Sequence, residues 1–116
     1  MFKIFKFFLI VLFGVLFHYS LAISEESKIK IGLLVPITGD NKEIGHQIIK
    51  STRMALKDIG TKNIEIYIKD TNSNPDLTIK SAIELKELGI KVVIGPVFYK
   101  SLSYLDNVKD ITFLSL

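Results

Sequence analysis

From residue 28 onward the chain alternates between two hydrophobic rhythms. Residues 28–35 (KIKIGLLV) form an apolar run rich in branched side chains, the pattern of a strand buried on both faces. Pro36-Ile37-Thr38-Gly39 breaks the run. Asp40 then stands three residues before Glu43, the spacing of a capping box. Apolar positions recur at Ile44, Ile48, Ala55, Leu56 and Ile59 at steps near four, and Gly60 offers a left-handed stop, which predicts a helix. Residues 64–69 (IEIYIK) alternate, with Ile64, Ile66 and Ile68 on one face of a second strand. Asn74-Pro75 reads as an N-cap and first helical residue, because proline has no N–H to leave unpaired. Leu77, Ala82, Leu85 and Leu88 make one stripe of that helix; Lys80, Glu84 and Glu87 face water, and Gly89 ends it. Residues 91–94 predict a third strand, 101–108 a short helix and 111–116 a fourth strand. The order β-α-β-α-β-α-β, with connections long enough for crossovers, predicts an α/β doubly wound parallel sheet with strand order 2-1-3-4.

The opening of the chain follows a different rule. MFKIFKFFLIVLFGVLFHYSLAIS carries Lys3 and Lys6, an apolar stretch over residues 7–17, and then Ser20-Leu21-Ala22. That is the layout of a secretory signal peptide (residues 1–22) cleaved after Ala22. The apolar stretch falls short of the ~20 residues that span a bilayer.

Charge and composition narrow the picture further. Residues 1–22 hold two of the 15 basic residues and none of the 12 acidic ones, so residues 23–116 carry 13 against 12. The lysines are scattered among carboxylates and form no basic cluster interleaved with aromatics, so no nucleic acid partner is expected. The chain has no cysteine, hence no disulfide staples and no thiol for a lipid anchor. A soluble periplasmic protein is the expectation. The chain also stops inside an apolar strand, and residues 23–116 are expected to be part of one lobe of something longer.

Three motifs promise chemistry and fail on inspection. VVIGPVFYKS over residues 92–101 imitates a phosphate loop, but Pro96 deletes an N–H donor and Tyr99 takes the place of the second glycine. DTNSNPD over residues 70–76 copies the start of a calcium loop, yet Pro75 stands where glycine is needed and Ser81 where glutamate is needed. His46 is the one histidine beyond the leader, with no cysteine or acid cluster spaced to share a metal. No nucleophile elbow or apolar carboxylate pair is present, so neither an enzyme nor a cofactor is expected.

Position supplies the remaining candidate. In doubly wound sheets ligands bind beyond the carboxyl ends of the strands, where strand order reverses. For order 2-1-3-4 that crevice lies between strands one and three, at residues 36–41 and 95–101. Thr38, Gly39, Gly95, Pro96, Phe98, Tyr99 and Ser101 are therefore the candidate ligand-binding residues. Thr38 and Ser101 bring hydroxyls, Tyr99 a hydroxyl and an apolar face, and a helix starting after Gly95 would present N–H groups suited to a carboxylate.

IGLLVPITGDNKEIGHQI, KDTNSNPD and KVVIGPVFYKS, in that order and spacing, resemble the N-terminal lobe of type I periplasmic binding proteins. The branched-chain amino-acid group of ABC transporter receptors (leucine/isoleucine/valine-binding) is most similar. The resemblance implies an incomplete N-terminal lobe of a two-lobed receptor that closes on an amino acid-like small molecule and delivers it to an ABC permease in the inner membrane. It also implies that the loop at residues 95–101 holds a carboxylate through a hydroxyl and backbone N–H groups. Two departures stand out: the family commonly has serines where this chain has Tyr99-Lys100-Ser101, and an aromatic where it has Ile44. A sibling group with similar wording at residues 95–98, the periplasmic activators of penicillin-binding proteins, implies instead regulation of cell-wall synthesis through protein contact.

Overall fold

The computed structural model describes residues 1–18 and 27–116. A helix, α1 (Phe2–His18), contains the apolar stretch of residues 7–17. The expected cleavage residues Ser20, Leu21 and Ala22 lie outside the described residues. Among the described residues, no helix is long and apolar enough to cross a membrane.

The remainder alternates as the hydrophobic rhythms require: β1 (Ile29–Val35), α2 (Lys42–Ile59), β2 (Ile64–Asp70), α3 (Pro75–Glu87), β3 (Val92–Ile94), α4 (Tyr99–Leu102) and β4 (Thr112–Leu114). The strands form one sheet in the order β2-β1-β3-β4, every pair parallel. Strand order and direction match the expectation.

Register assigns the two faces. Gly32 of β1 sits beside Tyr67 and Val93, and Val93 beside Phe113, so these residues share a face. Helix α3 covers it. Leu34, Ala82, Leu85, Ile90, Val93 and Leu105 form the buried core there, with Tyr67, Ile79 and Phe113 packed against it. Lys69 Nζ reaches Glu84 on α3 at 2.7 Å and ties β2 to the helix. The opposite row contains Leu33, Ile68 and Ile94. Ile68 there borders a groove with Ile49 and Met54 of α2, which puts the two long helices on opposite faces. The cover on that side is thinner: Ile44, Met54 and Ile59 of α2 are all exposed.

Several local expectations need correction. The capping box of Asp40 and Glu43 does not form. Helix α2 begins at Lys42 with Asn41 as its N-cap, so Glu43 is only two positions along and cannot reach back across the required three. Burial on both faces of β1 holds for Leu33, Leu34 and Val35, all 0% exposed, but Ile29 at the start of the strand is exposed. The helix expected over residues 101–108 is the single turn α4, followed by a 3₁₀ segment, Ser103–Asn107. Ser103 Oγ donates to the Lys100 carbonyl at 3.2 Å, a local bond of the kind that competes with a continuing α-ladder. By contrast Asn74 caps α3 as expected, its side chain accepting from the Leu77 N–H at 3.0 Å ahead of Pro75.

One close approach sets where α2 lies. Gly45 is buried in the first turn of that helix, and a Cβ there would collide with the Pro36 carbonyl oxygen. The obstacle is backbone and cannot rotate away. Gly45→Ala should therefore destabilise the protein by about 1–3 kcal/mol, read as a lower urea midpoint with an unchanged slope. An unshifted midpoint would mean that α2 does not rest on the β1 exit.

Candidate functional site

Because β1 is paired in parallel on both sides, the loops leaving β1, β2 and β3 gather at one end of the sheet. Asp70, the last residue of β2, binds two of them together. Its Oδ1 accepts from the N–H groups of Ile37 (2.7 Å), Asn72 (2.8 Å) and Thr38 (3.3 Å), and its Oδ2 accepts from Thr38 Oγ1 at 2.5 Å. Partial burial works to raise the Asp70 pKa. The Thr38 hydroxyl and the Ile37, Asn72 and Thr38 amides outweigh it and hold the carboxyl below its ordinary value of 3.8. All four partners are donors, the reverse of what a calcium ligand set requires, and among the described residues no cluster of acids or histidines is placed to hold a metal.

Beyond Asp70 the chain makes a tight turn with Asn72 and Ser73 both in the left-handed region, at φ 44° and 55°. Such a pair is uncommon outside glycine and persists only where its surroundings determine it. Here they do. Asn74 N–H bonds to the Thr71 carbonyl at 2.7 Å, and Asn41 Nδ2 donates to Ser73 Oγ at 3.1 Å. The Asn41 amide that leaves α2 uncapped is thus used to join the first and second loops.

The third loop is braced from below. Gly95 is buried at φ 104°, and a Cβ on it would strike the Leu34 carbonyl, so no other residue fits without displacing β1. Its N–H bonds to the Leu114 carbonyl at 2.8 Å, and the following peptide to the buried Pro96 is cis. The loop then rises into Phe98, Tyr99 and Lys100. Ser101 turns back inward at 2% exposure, its N–H bonded to the Phe98 carbonyl at 2.9 Å.

These loops enclose a cleft of about 490 Å³ lined by Asn41, Ser73, Pro75, Phe98, Tyr99, Lys100 and Ser101. A larger cavity, about 630 Å³, runs along α2, lined by His46, Lys50, Arg53 and Lys57 over Ile49 and Ile68. Although those four polar side chains line it, it flanks one face of the helix and does not join the strand exits, so the exit-loop cleft is the better site.

Of the seven residues singled out from the sequence, Phe98, Tyr99 and Ser101 meet in this cleft. Thr38 and Gly39 stay exposed to one side, Thr38 committed to Asp70 and Gly39 packed against the Asn72 side chain. Gly95 and Pro96 lie beneath as support. Asn41, Ser73, Pro75 and Lys100 line the cleft without having been singled out. Helix α4 has four residues, so little macrodipole is available, and an anion held there would rely on individual donors.

The comparisons with known proteins agree with this fold. Residues 28–112 match the periplasmic binding protein family model, and the chain belongs to that family. No curated protein matches the sequence. Among solved structures, the leucine binding protein LivK of Thermotoga maritima shares the fold at a TM-score of 0.69 and 17% identity over 75% of this chain. A solute binding protein of an ABC transporter from R. palustris, in complex with benzoate, shares it at 0.67 and 20% over 77%. The C-domain of LpoA (YraM) from Haemophilus influenzae, a regulator of PBP1A, shares it at 0.60 and 28% over 75%. The chain spans 27% of each of these three. The fold is that of type I periplasmic binding proteins.

The Asp70 hub yields a prediction with a definite sign. A folded-state pKa below 3.8 means that Asp70 contributes stability above that pH and loses it as the pH falls through the folded value. Asp70→Asn should cost about 1–2 kcal/mol near neutrality and nothing at the acid end, flattening the melting temperature against pH below about 4. A variant that kept the native acid profile would show that the carboxylate is not the hub.

Proposed function

We propose that this chain supplies part of the N-terminal lobe of a substrate-binding component of an ABC transporter. Residues 1–22 act as the cleavable export signal, and the mature protein captures an amino acid or similar small polar solute in the periplasm for an inner-membrane permease. It works as a binding protein and catalyses no reaction. The observation that carries the reading is the meeting of the β1, β2 and β3 exit loops in a cleft, on the fold of the periplasmic binding protein family. In this reading Ser101 holds a ligand carboxylate through its hydroxyl, aided by backbone N–H groups of the turn other than its own, which the Phe98 carbonyl takes. Tyr99 and Phe98 cover the apolar part of the ligand, and Gly95 and Pro96 set the loop's height. Thr38 and Gly39 form the far rim through their link to Asp70.

The likeness to the LivK and benzoate-bound structures supports a small organic solute, and LivK favours the branched-chain amino-acid group. A second reading has its own support. The LpoA C-domain shares more identities, 28%, than either of those two, which favours a regulator of cell-wall synthesis acting through protein contact. The two part in a simple experiment. A thermal-shift screen of the intact protein against amino acids, amides and small carboxylates should find a stabilising ligand on the transport reading. A flat response across the panel, together with retention of a penicillin-binding protein on the immobilised protein, would replace it with the regulator.

For a carboxylate ligand found in that screen, Ser101→Ala should weaken binding by about 1–3 kcal/mol, because a buried charged group loses its hydrogen bond. Calorimetry reads the change directly, and an unaltered affinity removes Ser101 from the site.

A further inference from the structure

We propose that the cleft selects a carboxylate with an apolar, ring-like body and no ammonium group, and that Lys100 sets this selection. The inference rests on the small-molecule reading above and narrows its solute from an amino acid to a carboxylate that lacks the ammonium group. Lys100 lines the cleft beside Ser101. The ion pairs among the described residues join Lys69 to Glu84 and Lys86 to Asp110, so no carboxylate neutralises Lys100. The other lining residues contribute an amide, hydroxyls, a proline and two rings, and none of them is acidic. A ligand entering here therefore meets one uncompensated positive charge.

That charge separates two classes of solute. A carboxylate bound at Ser101 gains a second, charge-assisted partner in the Lys100 ammonium. A zwitterionic amino acid brings its own ammonium within a few ångströms of its carboxylate. It enters the same field with no net charge, and the like-charge contact offsets the gain. The shape preference comes from the rings. Tyr99 is 80% exposed, and half-buried Phe98 stands next to it. Flat apolar groups are the natural cover for such rings.

Matched pairs isolate the charge: 3-phenylpropionate against L-phenylalanine, and 4-methylpentanoate against L-leucine. Titration calorimetry on the intact protein should show each acid binding about tenfold more tightly than its amino-acid counterpart. The phenyl pair should bind more tightly than the aliphatic one. Added salt should narrow the gap within each pair, because the cation is exposed to solvent. Lys100→Met should bring both members of a pair to within about twofold, the residual of an exposed charge contact. Lys100 is exposed, so the variant should melt with the native protein, and its melting curve is the control for folding.

Equal or tighter binding of the amino acids to the native protein overturns this proposal and leaves the transport reading standing. Binding confined to other members of the wider panel does the same. A preference that survives Lys100→Met overturns the role of Lys100. Silence from all four probes and from the whole panel removes the small-molecule reading itself.

Discussion

The parallel pairing of β1 on both of its edges is the constraint on which everything else depends. Parallel neighbours run in one direction, so their exits must collect at one end of the sheet, and the central strand shares its exit with both flanks. Three buried residues, Leu33, Leu34 and Val35, hold β1 there between the helical layers. Remove that pairing and the loops at residues 36–41, 71–74 and 95–101 have no reason to meet.

Adjacency alone gives proximity, and the loops are further fixed by two devices of different kinds. The first is polar. Asp70 draws two backbone amides and a hydroxyl from the β1 exit onto one carboxylate, and Asn41 reaches across to Ser73. The second is steric. Gly45 and Gly95 let backbone lie directly on backbone, α2 on Pro36 and the third loop on Leu34. Hydrogen bonds set direction and the missing side chains set depth, so the cleft has a stiff floor. Its rim is built differently, from Tyr99 and Lys100, which face solvent.

Much of the fold is legible in the residues because its signals are local. Asn74-Pro75 caps α3 by its own geometry, Gly60 ends α2 at φ 68°, and the period-two pattern of residues 64–69 announces β2. The strand order follows from topological rules that need no distant contact. Failures occur where a long-range partner overrides a local preference. Asp40 and Glu43 have the spacing of a capping box, but the turn through Gly39 and the Asn41–Ser73 bond start the helix one residue later. The cleft divides along the same line. Phe98, Tyr99 and Ser101 come from one continuous loop and could be found by its position. Asn41 and Ser73 enter through a bond between residues 32 positions apart, which no periodicity encodes. The DTNSNPD stretch carried a real signal in its Asn-rich turn, whose left-handed Asn72 and Ser73 bring Ser73 to the site.

The division between a stiff floor and a solvent-facing rim bears on how such a protein can change over time. At Tyr99 and Lys100 a new side chain alters charge, size or ring character while touching none of the packing that keeps the sheet together. Retuning toward a different solute is therefore nearly free of folding penalty at these two places. Innovation and integrity sit on separate residues, and selection can act on one without taxing the other.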